Sequence, residues 1–574
     1  MKRKYNKLWG IAVLLILQMM LLIFIVQLNS ETEVPTSEYL DSFAVEVATA
    51  ENDFTCFIKW WQKENAQQNE YYLTLPYFAK DRQVKVRFLS GNDVLLDGMK
   101  LKNGMRLPEL EAGNHEIICA DRNYRLCVVY GSNIPTVHIT TDTGTMEHIY
   151  ADKHYKEPGY ATILNQERVE YQGNLDYITI RGNYTSTLAK KPFNIKFLGE
   201  ADLFDMGASK KWCLLANYLD NTMIKDKIGY DFADEVGLTF SPESILTDLY
   251  INGEYIGNYT LCERIEISES RIDINDLGDW NERLNQGIDF ETLELGGVRG
   301  DESYLELGSS MWVNIPNTPE PSEGAYLIEY ELASRYDDEV SGFISNYGQP
   351  IIVKSPEYAS EEQVSYIQNY YQEFEDAVLS EDGYNALGKH YSEYIDMESY
   401  AKLYVYQEFI KNLDAAGTSL FFYKEAGEKL VAGPVWDVDM GFGGSYEREG
   451  ISMSDPESLW VTVGHLSNEL SDKNSIFSLL CQHQDFRIEA KKQWMEYFEP
   501  NIDGLLENID EKYKKNKESV VLDKYKWNFG GTYQETEKWM DQNIQTICDF
   551  ISKRSDYLSK TYSDEKWESS NYLP

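Results

Sequence analysis

Hydrophobic and polar positions divide the chain into four stretches. Residues 8–28 form an uncharged apolar run broken only by Gln18 and Gln27, behind Lys2, Arg3, Lys4 and Lys7. As a helix this run is about 30 Å long, the thickness of a bilayer's hydrocarbon core. The following Asn29-Ser30-Glu31-Thr32 offers no small-residue cleavage site. Residues 1–30 are therefore expected to form a basic flank and an uncleaved signal anchor, rather than a cleaved signal peptide. The basic side stays inside, so the bulk of the chain is extracytoplasmic. A polar linker follows over 31–43. Short alternating runs at 83–88, 116–119 and 124–129, separated by turns such as Ser90-Gly91-Asn92-Asp93, predict a small β-sandwich spacer within a 31–134 domain.

A second unit, 135–332, reads mainly as strands. It has one amphipathic helix over 222–236, opened by Asp220-Asn221 and stopped by Gly237. Asn252-Gly253 between alternating apolar runs is a strong hairpin signal, and residues 279–322 read as a surface insertion. The last unit, 333–574, has a helical period over 361–379, 395–411 and 474–561. A strand–turn–strand, 419–424 and 429–432, lies between the second and third of these. The order is a strand-rich half followed by a helix-rich half.

Composition sharpens this. With 53 basic and 95 acidic residues in 574, the formal charge is −42, which argues against a nucleic-acid backbone as partner. Against that background, residues 181–227 carry eight basic and five acidic residues, a local excess of positive charge able to hold an anionic ligand; the alternative is a solvated edge with scattered lysines. Seven scattered cysteines contain no CxxC pair, which excludes a zinc ribbon or a thioredoxin motif. Cys119 and Cys127 flank Asp121-Arg122-Asn123. Two readings are open: they face each other across a hairpin in a cross-strand disulfide, or they are small buried hydrophobes.

The chemistry concentrates in two places. Arg181-Gly182-Asn183-Tyr184 precedes Lys190-Lys191-Pro192, whose proline sits at a strand start. Strand phase then puts Phe193, Ile195 and Phe197 on one face and Asn194 and Lys196 on the other. Farther on, a helix ends at Asn412-Leu413-Asp414, a hairpin comes next, and two more carboxylates emerge in Trp436-Asp437-Val438-Asp439-Met440-Gly441. Phosphoryl transfer needs such a set: one carboxylate to orient the nucleophile and others to hold Mg²⁺ on the phosphates. Singly, Asp414 also reads as a helix-terminal turn residue and Asp437-Val438-Asp439 as a solvated turn. HExxH, Walker A and G-x-S-x-G motifs do not occur in the sequence.

Together these segments resemble the CotH kinase family, an atypical kinase-like family named for a spore coat protein. The carriers, in order, are Arg181-Gly182-Asn183, Lys190-Lys191-Pro192-Phe193, the stretch from Lys211-Trp212 through Ala216-Asn217 and Asp220 to Lys225, the hairpin 250–259, Gly324-Ala325-Tyr326-Leu327-Ile328-Glu329, Asn412-Leu413-Asp414 and 433–443. The resemblance covers about residues 135–560. It implies an α+β, protein-kinase-like two-lobed fold, dependence on ATP and on Mg²⁺ or Mn²⁺, and transfer of phosphate to protein serine. Asp414 then resembles the catalytic-loop aspartate and Asp437 the metal-binding one, with Asp439 a second ligand. Lys191 or Lys196 holds the phosphates and Arg181 neutralises their charge. Ser419, five residues after Asp414, stands where protein kinases place a metal-binding Asn, and its hydroxyl is a poorer ligand. The expected partners are a protein substrate at the cell surface or coat and, through the first helix, the membrane. Two other readings remain: a catalytically silent surface or assembly protein keeping the fold, and a glycosyltransferase using Asp437-Val438-Asp439 to clamp a nucleotide sugar.

Overall fold

The computed structural model describes residues 39–49, 54–64, 69–300, 305–448, 450–464, 473–527 and 531–569. The expected anchor over 8–28 lies outside them. Among the described residues no helix is long and apolar enough to cross a membrane. The protein is a mixed α+β molecule with several sheets and, among the described residues, nine α-helices.

Two sheets form the first unit. Strands Ser42–Ala48, Thr55–Lys59, Val84–Leu89 and Arg106–Leu107 face a five-stranded sheet containing Gly113–Cys119 and Arg122–Tyr130. Alternation places Val45, Val47, Val86, Ile117, Leu126 and Val128 in the shared core. This core does not stop at the sandwich, because Leu164, Tyr250, Tyr255 and Leu522 from later elements belong to it. Polar links reinforce the junction: the Lys59 N–H donates to the Gly253 carbonyl at 2.8 Å, and the Tyr72 and Tyr525 hydroxyls meet at 2.6 Å. The unit is thus docked on the rest of the chain. Cys119 lies opposite Arg122, and Cys127 opposite Asn114. The hairpin register therefore offsets the two cysteines instead of pairing them, and neither is in a disulfide.

Seven strands then close into a barrel: Thr136–Thr141, Glu157–Asn165, Arg168–Ile180, Phe193–Asp202, Ala208–Leu215, Glu254–Glu263 and Ser244–Ile251, in spatial order. The last pairs in parallel with the first, Val137 opposite Leu249, and this seam completes the ring. Each strand sends an apolar residue inward: Val137, Ile163, Ile178, Phe193, Leu214, Leu261 and Leu249. Asn252 and Gly253, both at positive φ (52° and 82°), make the two-residue turn that the Asn-Gly pair predicts.

A second seven-stranded sheet comes next, with order Leu295–Gly297, Ser310–Val313, Gly342–Ile344, Pro350–Ser355, Tyr326–Tyr330, Leu420–Lys424 and Leu430–Ala432. Part of the stretch expected to be a surface insertion thus builds one edge of this sheet. Helices Lys225–Glu235, Glu361–Leu379, Met397–Ile410, Gln484–Gln493, Ile502–Lys526 and Tyr533–Ser563 pack around it in one large core, which also takes in residues from the barrel's outer face, among them Cys213, Leu215 and Cys262. Ser360 and Gln363 form a capping box at the start of the Glu361–Leu379 helix, so its first N–H groups are satisfied where the sequence predicts.

Candidate functional site

A cleft of about 630 Å³ opens between the barrel and the second sheet. Each wall is built by local chemistry. The Met397–Ile410 helix stops at Lys411, whose left-handed conformation (φ 53°) turns the chain. Asn412 then organises the loops of this wall. Its side-chain oxygen accepts the Asp414 N–H (3.3 Å), opening the short 3₁₀ turn Leu413–Ala416, and its amide donates to the Asp437 carbonyl (3.3 Å). One side chain therefore ties both carboxylate-bearing loops together. Ser419 and Asp437 both have positive φ, 57° and 56°. That conformation costs a non-glycine residue about 1–3 kcal/mol and is common where a side chain must point into a site.

The opposite support comes from the Lys225–Glu235 helix. Its N-cap position is Ile224 and not the expected Asp220, but Asp220 anchors the approach from four residues earlier, accepting from the N–H groups of Thr222 (2.7 Å) and Lys225 (2.8 Å). In the helix's first turn, the Lys225 ammonium donates to the carbonyls of Gly441 (2.7 Å) and Asp439 (3.2 Å), and the Asp226 carboxylate accepts the Val438 N–H (3.3 Å). The turn carrying Asp437 and Asp439 is held from both sides.

Asp414, Ser419, Asp437, Asp439 and Arg181 all line this cleft. Burial pushes Asp414 up to about 6, with the Asp437 charge adding to it. Burial also raises Asp437, although Arg181 and a hydrogen bond from Ser419 oppose the shift. Asp439 is raised well above the carboxylate range by burial and then by Asp437, Asp226 and Asp220. Asp226 itself is pushed up to about 7 by burial and by Asp437. These carboxylates share more negative charge than nearby cations offset, and a divalent ion would relieve it. Among the described residues no group of three or more His, Cys, Asp or Glu side chains is placed to hold a metal by itself. Mg²⁺ bound by one or two carboxylates together with substrate phosphates needs no such cage, so Asp437 and Asp439 fit that role.

Arg181 sits on the barrel side with its guanidinium 5.1 Å from the Trp436 ring centre. Burial would lower its pKa, but Cys213, Cys262 and Asp437 around it raise it. The lysines expected beside it lie elsewhere. Lys191 donates to the Ser186 carbonyl (2.7 Å), and Lys196 pairs with Asp176 (2.8 Å) on the neighbouring strand. Strand phase does put Lys196 on the polar face, but on that face the cleft is lined by Asn194, two residues earlier. Lys190 is fully buried against Asp523 at 2.5 Å and is structural. None of the three lines the cleft.

The cleft's lysine is Lys354, from the Pro350–Ser355 strand, with Glu329 at 3.4 Å and Glu339 at 3.1 Å. Arg335, 3.3 Å from Glu331, and Arg264 add two more cations. The Glu331 carboxylate also accepts from the Thr418 hydroxyl (2.9 Å). Sequence reasoning did not single out Lys354, Arg335, Arg264 or Glu331. The apolar alternation around Lys354 was the available signal, since a lysine in Ile351-Ile352-Val353-Lys354 breaks an otherwise buried strand.

Fold and cleft define a mixed α+β protein with a recessed acidic site flanked by cations. Residues 178–558 match the family described as CotH kinase protein, and the chain belongs to that family. Comparison with curated proteins gives no match.

Proposed function

We propose that the protein is an extracytoplasmic atypical kinase that transfers the γ-phosphate of ATP to serine in protein substrates. In this reading the barrel and the helix-rich part are the two lobes of a kinase-like fold, and the chain is anchored by residues 8–28. Family membership supports kinase-like chemistry with a nucleotide and a divalent metal. The observation that carries the finer reading is the convergence of Asp414, Asp437 and Asp439 with Arg181 and Lys354 in one cleft.

A divalent ion such as Mg²⁺ or Mn²⁺ would supply positive charge against the phosphates. Asp437 and Asp439 would take the metal. Lys354 is the cleft lysine available to the phosphates in place of Lys191 or Lys196, with Glu329 and Glu339 fixing its ammonium, and Arg181 supplies the second cation from the barrel. Asp414, on the neighbouring loop, accepts the proton of the incoming hydroxyl. The carboxylate it needs is present above about pH 6. Trp436, packed on Tyr230 with ring centres 6.0 Å apart, supplies an aromatic wall of the cleft.

The test is phosphate incorporation from labelled ATP into casein-like acceptors by the ectodomain with Mg²⁺ or Mn²⁺. Asp414→Ala and Asp437→Ala should each lower it by about 100-fold or more. Equal incorporation by wild type and both variants would end the proposal. Ser419 favours a second reading, because its hydroxyl is a weak metal ligand where an Asn would be expected. A silent surface or coat-assembly protein would bind its partner through the same fold, and full biological effect from both aspartate variants would select it.

A further inference from the structure

Cys213 and Cys262 lie directly opposite each other on adjacent antiparallel strands, Ala208–Leu215 and Glu254–Glu263. Neighbours so placed have Cα atoms roughly 4.5–5.5 Å apart, inside the range of about 4.4–6.8 Å that a disulfide spans. Both side chains leave the barrel on its outer face, since the intervening Leu214 and Leu261 point to its interior. Cys213 lines the cleft, and its thiol donates to the Asn194 side-chain oxygen at 3.3 Å. Both thiols lie within the field of Arg181, the cation that reaches Trp436. Two facing thiols beside a guanidinium, at the wall of a functional cleft, differ from the chain's other cysteines. Cys56, for instance, packs in the sandwich core and meets the buried His138 at 3.7 Å.

We propose that Cys213 and Cys262 are a redox-active pair that closes reversibly into a disulfide under peroxide and so alters the anion-binding wall of the cleft. Cys213 lines the cleft from which peroxide would approach and Cys262 does not. A hydrogen bond from Cys262, and then Arg181 and Arg264, favour the thiolate at Cys213, whereas burial holds Cys262 protonated. That asymmetry assigns the roles. The Cys213 thiolate attacks hydrogen peroxide, breaking the O–O bond and giving a sulfenic acid plus hydroxide. The Cys262 thiol then displaces the sulfenic oxygen, forming the S–S bond and releasing water. Overall two thiols and one peroxide give one disulfide and two waters, and a dithiol reductant reverses the change. The bridge takes the Cys213 sulfur out of both its contacts, the S–H donation to Asn194 in the thiol form and the negative charge it presents to Arg181 in the thiolate form, so more of the guanidinium's charge is available to an anion in the cleft. The bridge itself requires no phosphotransfer; only its effect on ligand binding rests on the proposed nucleotide cleft.

The full ectodomain is treated with hydrogen peroxide, quenched, alkylated under denaturing conditions and mapped by peptide mass, without nucleotide. The expected result is a cross-linked Cys213–Cys262 peptide that dithiothreitol resolves, while Cys262→Ser stops at an oxidised, unbridged Cys213. Both thiols remaining alkylatable in the native sequence, or Cys213 passing to sulfinic acid without a cross-link, overturns the proposal whatever the kinase assay shows. A second arm compares binding of a non-hydrolysable ATP analogue by reduced and bridged protein. Several-fold tighter binding by the bridged form is expected. Equal and measurable binding by both removes the regulatory part, whereas absence of binding by either form counts against the nucleotide reading instead.

Discussion

The Lys225 ammonium lies buried on the carbonyls of Asp439 and Gly441, and its charge acts on the Asp439 carboxylate. It positions the turn without lining the cleft. Lys225→Met leaves those carbonyls without their donor, and a charged hydrogen bond of this kind is worth roughly 2–3 kcal/mol. Denaturant melts should show that loss, and the metal concentration for half-maximal phosphate incorporation should rise. An unchanged midpoint would mean that the turn is held by the Asn412 and Asp226 contacts alone. Asp414, Asp437, Asp439 and Arg181 could be recognised in the sequence because each sits in a short turn with glycine or asparagine close by, and Ser419 only through its spacing from Asp414 in the family resemblance. Lys354 shows only as a lysine interrupting a buried apolar strand and Arg335 not at all, because the nearness of either to the aspartates arises only when residues 326–355 fold into the same sheet as 420–432.

At the level of elements, the Ile502–Lys526 helix is bound to the barrel by a buried polar seam. Lys190 pairs with Asp523, Asp248 accepts from the Ser519 hydroxyl (2.6 Å), and Asn258 exchanges hydrogen bonds with Asn516 (3.1 Å). Gly257 permits this approach, since a Cβ there would lie 2.2 Å from an Asp523 oxygen, and its φ of 147° already disfavours a side chain. Lys190→Met alone should destabilise the fold by about 3–5 kcal/mol by leaving Asp523 charged and unpaired. Lys190→Met with Asp523→Leu should recover most of that, as read by thermal melts of both proteins. The amphipathic helices and the Asn252-Gly253 hairpin arise from local periodicity and turn chemistry. The seam does not, because a lysine in a Lys-Lys-Pro run carries the same local pattern whether it meets solvent or a buried aspartate.

For the whole molecule, two consequences can be measured. Burial raises Asp248 to about 7 from 3.8. The protonated group is therefore the one the fold favours, its stability contribution is complete below about pH 4, and it fades as pH rises to about 7. The melting temperature should fall over that window. Asp248→Asn should flatten the fall and gain on the order of 2 kcal/mol at pH 8 relative to wild type. A wild-type curve as flat as the variant's would refute this. The sandwich, expected from sequence to be a spacer, shares its core with Tyr250, Tyr255 and Leu522. Removing residues 39–130 should therefore lower the melting temperature of the remainder and expose those side chains to an apolar dye. Unaltered melting would restore the spacer reading.

The parallel seam that completes the barrel also sets an order of events during synthesis. Thr136–Thr141 pairs early with Glu157–Asn165 but meets its parallel partner only when Ser244–Ile251 has emerged, over a hundred residues later. A nascent chain halted before that point holds an open ribbon with two unpaired edges, the form most prone to clumping. A ribosome-bound fragment ending near residue 230 should thus depend on chaperones, whereas one reaching past 290, once clear of the exit tunnel, should not.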